Sequence, residues 1–139
     1  MKTVITYGTF DLLHYGHIEL LRRAKELAEG GRLIVGVSSD AFNAAKGKTS
    51  HMPFEKRKEL VEAIRYVDEV IAEESWEQKR RDITKYHIDM FVMGSDWDGK
   101  FDELKELCQV TYLQRTPTIS STSIKKIIAE LEQVEGDTQ

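Results

Sequence analysis

Short apolar runs alternate along the chain with longer stretches in which apolar residues recur at helical spacing. The apolar runs predict five strands, over residues 3–7, 33–38, 69–72, 90–93 and 109–113. The longer stretches predict five helices, over residues 16–29, 53–64, 76–86, 101–107 and 123–133. Gly30 and Gly31 mark the end of the first helix, and Pro53 suits the first turn of the second. Ser75, with Gln78 three residues later, has the spacing of a capping box for the third helix.

The order strand, helix, strand, helix is typical of a parallel sheet covered by helices on both faces. The sequence therefore predicts an α/β fold: a single Rossmann-like domain over residues 1–131 with a five-stranded parallel sheet, and a C-terminal tail over 132–139 that is expected to fray. Ligands of such folds bind beyond the carboxyl ends of the strands, near the switch in strand order. The loops of interest are therefore residues 8–15, 39–52, 94–100 and 115–122.

Composition narrows the class of protein. The 139 residues are 40% hydrophobic and 32% charged, which is ordinary for a globular domain. The net charge of −4 argues against broad nucleic-acid binding, which needs a basic face. Cys108 is the single cysteine, which excludes an intrachain disulfide and fits a reducing compartment. No apolar run approaches the ~18 residues of a membrane span, so we expect a cytoplasmic protein without membrane insertion.

The loop after the first predicted strand places His14 and His17 on either side of Gly16, at the start of a helix. A helix N-terminus offers unpaired N–H groups and a partial positive charge, which suit a phosphate. Two imidazoles there can donate hydrogen bonds to phosphate oxygens whose charge grows during a reaction. Gly8 lets the chain leave the strand sharply, and Gly16 removes a Cβ that would keep phosphates away.

Two simpler interpretations of the histidine pair are weaker. Polar residues at a helix start would explain the histidines but not the two glycines in a strand-to-helix loop. A catalytic zinc site needs three protein ligands, and neither Cys108 nor the remaining histidines, His51 and His87, have suitable spacing. The pattern therefore favours a triphosphate site, and no metal ligands are assigned.

Basic and hydroxyl residues occupy the other loops. Lys46 and Lys48 flank a glycine after the second strand, where they either hold phosphate groups or form a solvated surface pair. Arg115 follows the fifth strand and precedes three hydroxyl residues, Ser120, Ser121 and Thr122. Helix capping accounts for one of these hydroxyls, whereas phosphate binding accounts for all three together with the arginine.

Four further polar residues have two interpretations each. Asp11 either orients a histidine or an ion, or caps its loop. Arg57 and Arg65, eight residues apart, either hold phosphate or pair with neighbouring acids. Asp96 lies with Asp98 in a turn-rich segment, which is either loop structure or a ligand contact. Calcium binding is disfavoured there because the other ligands of an EF-hand are missing.

The chain resembles the HxGH nucleotidyltransferase superfamily in two adjacent motifs, Gly8-Thr9-Phe10-Asp11 and His14-Tyr15-Gly16-His17. Similarity to its cytidylyltransferase branch extends over residues 65–70 (RYVDEV), 91–97 (FVMGSDW) and 115–122. Over residues 2–131 the chain is similar to the bacterial cytidylyltransferases that act on glycerol 3-phosphate. The last motif departs from the family because Pro117-Thr118 replaces Glu-Gly, which removes the φ freedom of a glycine.

The resemblance implies an enzyme that joins CTP to glycerol 3-phosphate, giving CDP-glycerol for teichoic acid synthesis. It implies catalytic roles for His14, His17, Lys46 and Arg115. It implies CTP binding by Thr9, Phe10, His14, Tyr15, Gly16, His17, Lys48, Arg115, Thr116, Ile119, Ser120, Ser121 and Thr122. Lys46 and Lys79 would hold the acceptor, and Asp96 and Trp97 would lie near the base and ribose. Mg²⁺ carried with CTP and a homodimer are also implied.

Two alternatives stay open at this point. One is another HxGH enzyme that uses ethanolamine phosphate as acceptor, or ATP as donor. The other is a module that binds CTP without turnover. The presence of His14, His17, Lys46 and Arg115 argues against such a module, because binding alone tolerates the loss of transition-state donors.

Overall fold

Residues 1–115 and 125–131 are described by the computed structural model, in which five strands form one sheet. The strands are β1 (Thr3–Gly8), β2 (Arg32–Ser38), β3 (Glu69–Glu73), β4 (Met90–Gly94) and β5 (Gln109–Leu113). The helices of the described ranges are α1 (Tyr15–Leu27), α2 (Asp40–Ala45), α3 (Phe54–Glu62), α4 (Gln78–Lys85) and α5 (residues 125–131). Two 3₁₀ turns, Ser95–Trp97 and Asp102–Glu106, lie between β4 and β5.

The sheet has the strand order β3-β2-β1-β4-β5, and all neighbouring strands are parallel. The chain builds outward from the central β1 to β2 and β3, and then crosses back to place β4 on the other side of β1. In open α/β sheets this switch in strand order opens a crevice at the carboxyl ends of the strands. Here the crevice lies beyond Gly8 of β1 and Gly94 of β4. The predicted parallel sheet is confirmed.

Each face of the sheet carries its own apolar core, because side chains alternate between faces along the strands. On one face, Leu21 of α1 and Val61 of α3 pack in the cluster that contains Val35 of β2. On the other face, Ile83 of α4 packs in the cluster that contains Phe91 of β4. Helices therefore cover both faces, as predicted, and the loops beyond the strand ends remain available to form a site.

The helices differ from prediction in three places. The six-residue α2 lies within the predicted loop 39–52 and is capped by the Ser39 hydroxyl, which accepts from the Phe42 amide at 3.0 Å. Residues 101–107, predicted as an α-helix, form a 3₁₀ turn over Asp102–Glu106. The predicted capping box before α4 is wrong: the N-cap is Glu77, and the Gln78 side chain accepts from the amide of Glu74.

Gly36 in the middle of β2 has a steric function that can be tested. A Cβ at Gly36 would lie 2.3 Å from Cδ2 of Tyr7, and the Tyr7 hydroxyl is fixed by a 2.7 Å hydrogen bond to Asp82. We expect Gly36→Ala to lower the free energy of unfolding by roughly 1–3 kcal/mol because the ring cannot move aside. The control is Gly94→Ala, where a Cβ meets nothing within 4 Å. Urea unfolding measures both, and equal stability of the two variants would contradict the steric interpretation.

Candidate active site

A cavity of about 420 Å³ lies at the carboxyl ends of the strands, where the sequence predicts ligand binding. Its walls come from the β1 loop, the segment after α2, the β3–α4 segment, the end of β4 with the turn that follows, and α5. Of the residues predicted for the site, the cavity is lined by Thr9, Phe10, Asp11, His17, Lys46, Lys48, Lys79 and Trp97. Three of the four predicted loops therefore meet at one place.

The two histidines are fixed in orientation by the start of α1. His14 is the N-cap, and its Nδ1 accepts a hydrogen bond from the Gly16 amide at 3.0 Å. His17 Nδ1 accepts from the His14 amide at 3.2 Å. An imidazole whose Nδ1 accepts carries its proton on Nε2 when it is neutral. The two rings, with centroids 4.1 Å apart, therefore each present an Nε2–H donor.

The surroundings of the histidines keep both rings neutral near pH 7. Burial, and then the neighbouring His14, lower the pKa of His17 from 6.5 to about 4, while Asp11 acts in the opposite direction. Burial, followed by the charge of Arg115, also lowers the pKa of His14. The pair therefore supplies hydrogen-bond donors to the site and no fixed charge.

The β1 loop holds its shape through two residues with left-handed backbone. Phe10 and Leu12 have φ angles of 53° and 49°, which are costly for residues with a side chain. This places the Phe10 ring against His17, with centroids 5.5 Å apart, and over Gly8. A Cβ at Gly8 would lie 2.9 Å from Cε2 of Phe10. Gly8 is therefore needed for space beneath the ring, whereas the unusual backbone angles fall on the residues after it.

Asp11 ties the β1 loop to two other segments. Its carboxylate accepts from the amides of His51 and Met52 at 2.7 and 3.1 Å, and it lies 2.9 Å from Lys125 Nζ. Burial alone would raise the pKa of Asp11, but the His51 amide, Lys125 and the Met52 amide outweigh it, so the pKa is lowered. The charged Asp11 carboxylate thus connects the β1 loop to the loop before α3 and to α5.

Lys46 and Lys48 reach the cavity from the end of α2. Lys46 is the C-cap of α2, and its Nζ donates to Ser38 Oγ at 3.1 Å. Burial lowers the pKa of Lys46 from 10.5 to about 8, although Glu73 opposes the shift. Gly47 between the lysines has a φ of 75°, so a glycine is required for the turn that directs both lysines to the cavity.

Lys79 lies deeper than its position on a polar helix suggests. It is 3% exposed and pairs with Glu73, whose carboxylate accepts from its ammonium group. Its Nζ is 4.8 Å from the ring centre of Trp76, another lining residue. The cavity wall near β3 therefore carries a buried ion pair among aromatic rings.

Arg115 and Asp96 form an exposed ion pair. The Arg115 guanidinium pairs with the Asp96 carboxylate at 2.7 Å, and both side chains are more than half exposed. Neither residue lines the cavity, although Arg115 is close enough to lower the pKa of His14. Trp97, which follows Asp96, does line it, with its ring 6.0 Å from that of Trp76.

Arg57 is fully buried, and its guanidinium is engaged by protein atoms. It donates to the carbonyls of Thr9, Ser38 and Met52 at 2.8, 2.7 and 2.9 Å. It also pairs with Asp40 at 2.7 Å. Arg57 is therefore a clamp between the β1 loop, the end of β2 and the loop before α3, and it does not line the cavity.

Four other predicted residues also lie away from the cavity lining, namely His14, Tyr15, Gly16 and Arg65. Arg65, which is exposed, has its guanidinium 5.1 Å from the Tyr66 ring centre. Tyr15 is 60% exposed in the first turn of α1. The structure therefore places Arg65 beside an aromatic ring at the surface, away from the cavity lining.

The clamp role of Arg57 predicts a loss of stability. We expect Arg57→Met to lower the free energy of unfolding by roughly 2–3 kcal/mol, because buried carbonyl acceptors lose a charged donor. Arg65→Met serves as control, with an expected change within about 0.5 kcal/mol for an exposed residue. Chemical denaturation measures both. Weaker CTP binding at unchanged stability of Arg57→Met would instead assign the guanidinium to the ligand.

The sequence prediction misses Glu73, Trp76 and Lys125, which all line the cavity. Glu73 is the last residue of β3 and Trp76 follows that strand. The carboxyl end of β3 lies at the same edge of the sheet, so the rule that selects the other loops applies here too. Lys125 donates to the Thr49 carbonyl at 3.5 Å and contacts Asp11. These contacts join segments distant in sequence, and no local signal predicts them.

Part of the predicted site lies outside the described residues. This applies to Thr116, Ile119, Ser120, Ser121 and Thr122, to Pro117-Thr118, and to the predicted tail 132–139. Their roles therefore remain predictions from the sequence.

Metal centres and membrane-spanning helices are two further features that indicate the class of a protein. Within residues 1–115 and 125–131, no group of three or more histidine, cysteine, aspartate or glutamate side chains is placed to hold a metal ion. None of the helices in the described ranges is both long and apolar enough to cross a membrane.

Comparisons with known proteins give the family. Residues 5–127 match the cytidylyltransferase-like family. The chain is 60% identical over 131 residues to glycerol-3-phosphate cytidylyltransferase from Bacillus subtilis, which covers 94% of this chain and 100% of that protein. It is 59% identical over 126 residues to glycerol-3-phosphate cytidylyltransferase from Staphylococcus aureus, which covers 91% of this chain and 94% of that one.

A solved structure supports the fold. The crystal structure of the lipopolysaccharide core biosynthesis protein from Thermoplasma volcanium GSS1 aligns with a TM-score of 0.70 at 23% identity, over 84% of this chain and 98% of that one. The family match begins within β1 and ends within α5, so that it spans the sheet and the described walls of the cavity. The chain belongs to the cytidylyltransferase-like family and is a nucleotidyltransferase.

Proposed function

We propose that this chain transfers CMP from CTP to glycerol 3-phosphate, with CDP-glycerol and pyrophosphate as products. The observation that carries the proposal is one cavity at the strand switch in which His17 meets Lys46, Lys48 and Lys79. Two phosphate-bearing substrates need several cations and neutral donors in one place, and the cavity has both. The names of the relatives at 59–60% identity agree with these substrates.

The reaction needs no covalent intermediate. A phosphate oxygen of glycerol 3-phosphate attacks the α-phosphorus of CTP in line, the bond to the β-phosphate oxygen breaks, and pyrophosphate leaves. The attacking oxygen is already anionic near neutral pH, so a general base is not required. Catalysis then consists of positioning the two substrates and stabilising the charge that develops on the triphosphate.

The histidines suit that second task. Their Nδ1 atoms are held by backbone amides, so the Nε2–H groups are oriented before the substrate arrives. Such preorganised donors stabilise growing charge without reorganisation during the reaction. Because burial lowers the pKa of His17 to about 4, the ring is a neutral donor before the substrates bind.

We assign the cationic side chains of the site to different substrates. Lys46 lies on the β3 side of the cavity, beside Phe42 and Trp76, where we place the acceptor phosphate. Lys48 extends from the exposed turn beyond Gly47 and is assigned to CTP, together with the exposed residue Arg115. Thr9, which also lines the cavity, is held by a hydrogen bond from its hydroxyl to the Asn43 side chain at 3.2 Å.

Mg²⁺ is proposed to enter with CTP. The carboxylates that line the cavity are engaged by the protein, Asp11 by Lys125 and two amides, and Glu73 by Lys79 and Ser38. Because these carboxylates are engaged, we propose that Mg²⁺ is held by triphosphate oxygens and water, as it prefers, and not by a cage of protein ligands. The ion would neutralise triphosphate charge.

Three further parts of the proposal concern the setting of the enzyme. We place it in the cytoplasm, where a half-buried thiol such as Cys108 stays reduced. We propose a homodimer and a place in teichoic acid synthesis on the strength of the sequence resemblance. Sedimentation of the purified chain at several concentrations tests the dimer.

A panel of substrates tests the proposed function. Pyrophosphate release is measured with CTP or ATP as donor, and with glycerol 3-phosphate or ethanolamine phosphate as acceptor. We expect turnover with CTP and glycerol 3-phosphate. Equal turnover with ATP would overturn the base assignment, preference for ethanolamine phosphate would overturn the acceptor, and binding of CTP without release would indicate a non-catalytic module.

A further inference from the structure

One lysine on the cavity wall is enclosed by aromatic rings. Lys79 Nζ lies 4.8 Å from the ring centre of Trp76, 4.9 Å from Tyr7, 5.4 Å from Phe101 and 5.9 Å from Phe42. All four distances fall within the range of about 6 Å over which a ring face attracts a cation. We call these four rings the aromatic cage. Its occupant is 3% exposed although it lines the cavity.

A carboxylate closes the cage. Glu73 is 2% exposed; its Oε2 accepts from Lys79 Nζ, and its Oε1 accepts from Ser38 Oγ at 2.9 Å. Aromatic rings around a cation are the arrangement by which proteins recognise ammonium ligands, and an adjacent carboxylate strengthens the attraction. In this chain the cation in the cage belongs to the protein itself.

The cage is held rigidly from behind. The Tyr7 hydroxyl donates to Asp82 at 2.7 Å, and the Gln78 amide donates to the same carboxylate oxygen at 3.0 Å. The Tyr7 ring also lies against Gly36, where even a Cβ would clash. The Tyr7 ring therefore cannot move away from Lys79.

The position of Lys46 places the cage next to the acceptor. Lys46 Nζ lies 4.4 Å from the Phe42 ring centre and 5.7 Å from that of Trp76, so it shares two rings with Lys79. An acceptor whose phosphate is bound by Lys46 has its alcohol end within reach of the cage. This step rests on the proposed function, which assigns Lys46 to the acceptor.

We propose that Lys79 is a specificity-determining residue that restricts the acceptor to alcohol phosphates without an ammonium group, because its own ammonium group already occupies the aromatic cage. A hydroxyl of the acceptor can accept a hydrogen bond from Lys79. An acceptor with an ammonium group meets the like charge of Lys79 instead. The Glu73 carboxylate, which could compensate that charge, is already paired with Lys79.

A matched pair of small acceptors tests the inference on the unmodified protein. 2-Hydroxyethyl phosphate and 2-aminoethyl phosphate have the same length and differ by a hydroxyl against an ammonium group. Each compound is measured as an acceptor in the reaction with CTP. Each is also measured as an inhibitor of the turnover of CTP with glycerol 3-phosphate. We expect the amino compound to be about 100-fold weaker, as like charges in a buried site predict. Equal behaviour of the two compounds overturns the inference.

Variants of the cage give a second test. In Lys79→Met the cage and Glu73 lose their cation, so the ratio of kcat/KM for 2-aminoethyl phosphate to that for 2-hydroxyethyl phosphate is expected to rise about 100-fold. Adding Glu73→Gln to Lys79→Met is expected to remove most of this rise in the ratio. Lys79→Arg keeps a cation in the cage, so we expect its ratio to equal that of the unmodified protein. An unchanged ratio in folded Lys79→Met overturns the inference.

The inference and the proposed function fail in different ways. If the unmodified protein shows no turnover of glycerol 3-phosphate with CTP, the proposed function fails. If glycerol 3-phosphate is used but the two small acceptors behave alike, the role of Lys79 alone is wrong. The unmodified protein decides both even if Lys79→Met does not fold.

Discussion

Replacing His17 by alanine is expected to lower kcat by about 10²–10³ while the Kd of CTP changes by only a few-fold, since the loss of one preorganised donor costs roughly 2.7–4 kcal/mol of transition-state stabilisation. The donor is the Nε2–H group, whose direction is fixed by the hydrogen bond from the His14 amide to Nδ1. His14→Ala should have a similar effect, because its Nδ1 is fixed by the Gly16 amide. Turnover rates at saturating substrates and CTP binding by calorimetry measure the two quantities.

Controls separate the donor from the helix cap. His17→Asn retains a side-chain oxygen able to accept from the His14 amide, yet it lacks a donor at the Nε2 position. It should lose as much activity as His17→Ala while it keeps more stability. His87→Asn, at an exposed left-handed position on the amino-terminal side of β4, should leave activity unchanged. Equal losses in CTP binding and turnover would show that the histidines contact only the ground state.

Lys46→Ala and Lys48→Ala are expected to impair different substrates. Lys46 lies beside Phe42 and Trp76, so its loss should raise the KM for glycerol 3-phosphate by about 10–100-fold, the usual value of a charged hydrogen bond. Lys48 lies on the exposed turn, so its loss should mainly impair the use of CTP. Steady-state kinetics with each substrate varied in turn distinguish the two. If both variants keep normal parameters, the turn around Gly47 lies outside the site.

The pH profile of the same reaction tests the state of Lys46. Burial lowers its pKa to about 8, so its ammonium group is present below that pH and is lost as the pH rises through 8. We expect kcat/KM for glycerol 3-phosphate, measured at CTP well below saturation, to fall over this range, because that constant then reports the free enzyme. Lys46→Ala should remove this limb of the profile, whereas Lys56→Ala, exposed on α3, should keep it.

The strands of the fold were predictable because their signal is local. Each predicted strand is present, and the central ones are continuous apolar runs, as expected for strands buried on both faces. The six residues of α2 are too few to show a helical period, and the Ser39 cap gave only a weak signal. The strand order depends on contacts between distant segments, so the sequence predicted a parallel sheet but not the position of β4 beside β1.

The site was predictable where short motifs carry it. His17, Lys46 and Lys48 line one cavity because their loops all leave the same edge of the sheet. The burial of Arg57 and of Lys79 could not be inferred, since each lies on a helix with ordinary polar spacing. Their environments arise from tertiary contacts, with backbone carbonyls for the arginine and with Glu73 and aromatic rings for the lysine.

The most direct test of the account is the identity of the product. The purified chain is incubated with Mg²⁺, glycerol 3-phosphate and CTP labelled at the α-phosphate, with labelled ATP in a parallel reaction. We expect the label to appear in CDP-glycerol, with one pyrophosphate released for each molecule formed, and we expect ATP to give little product. Label that stays in CTP, or a product formed equally well from ATP, would contradict it.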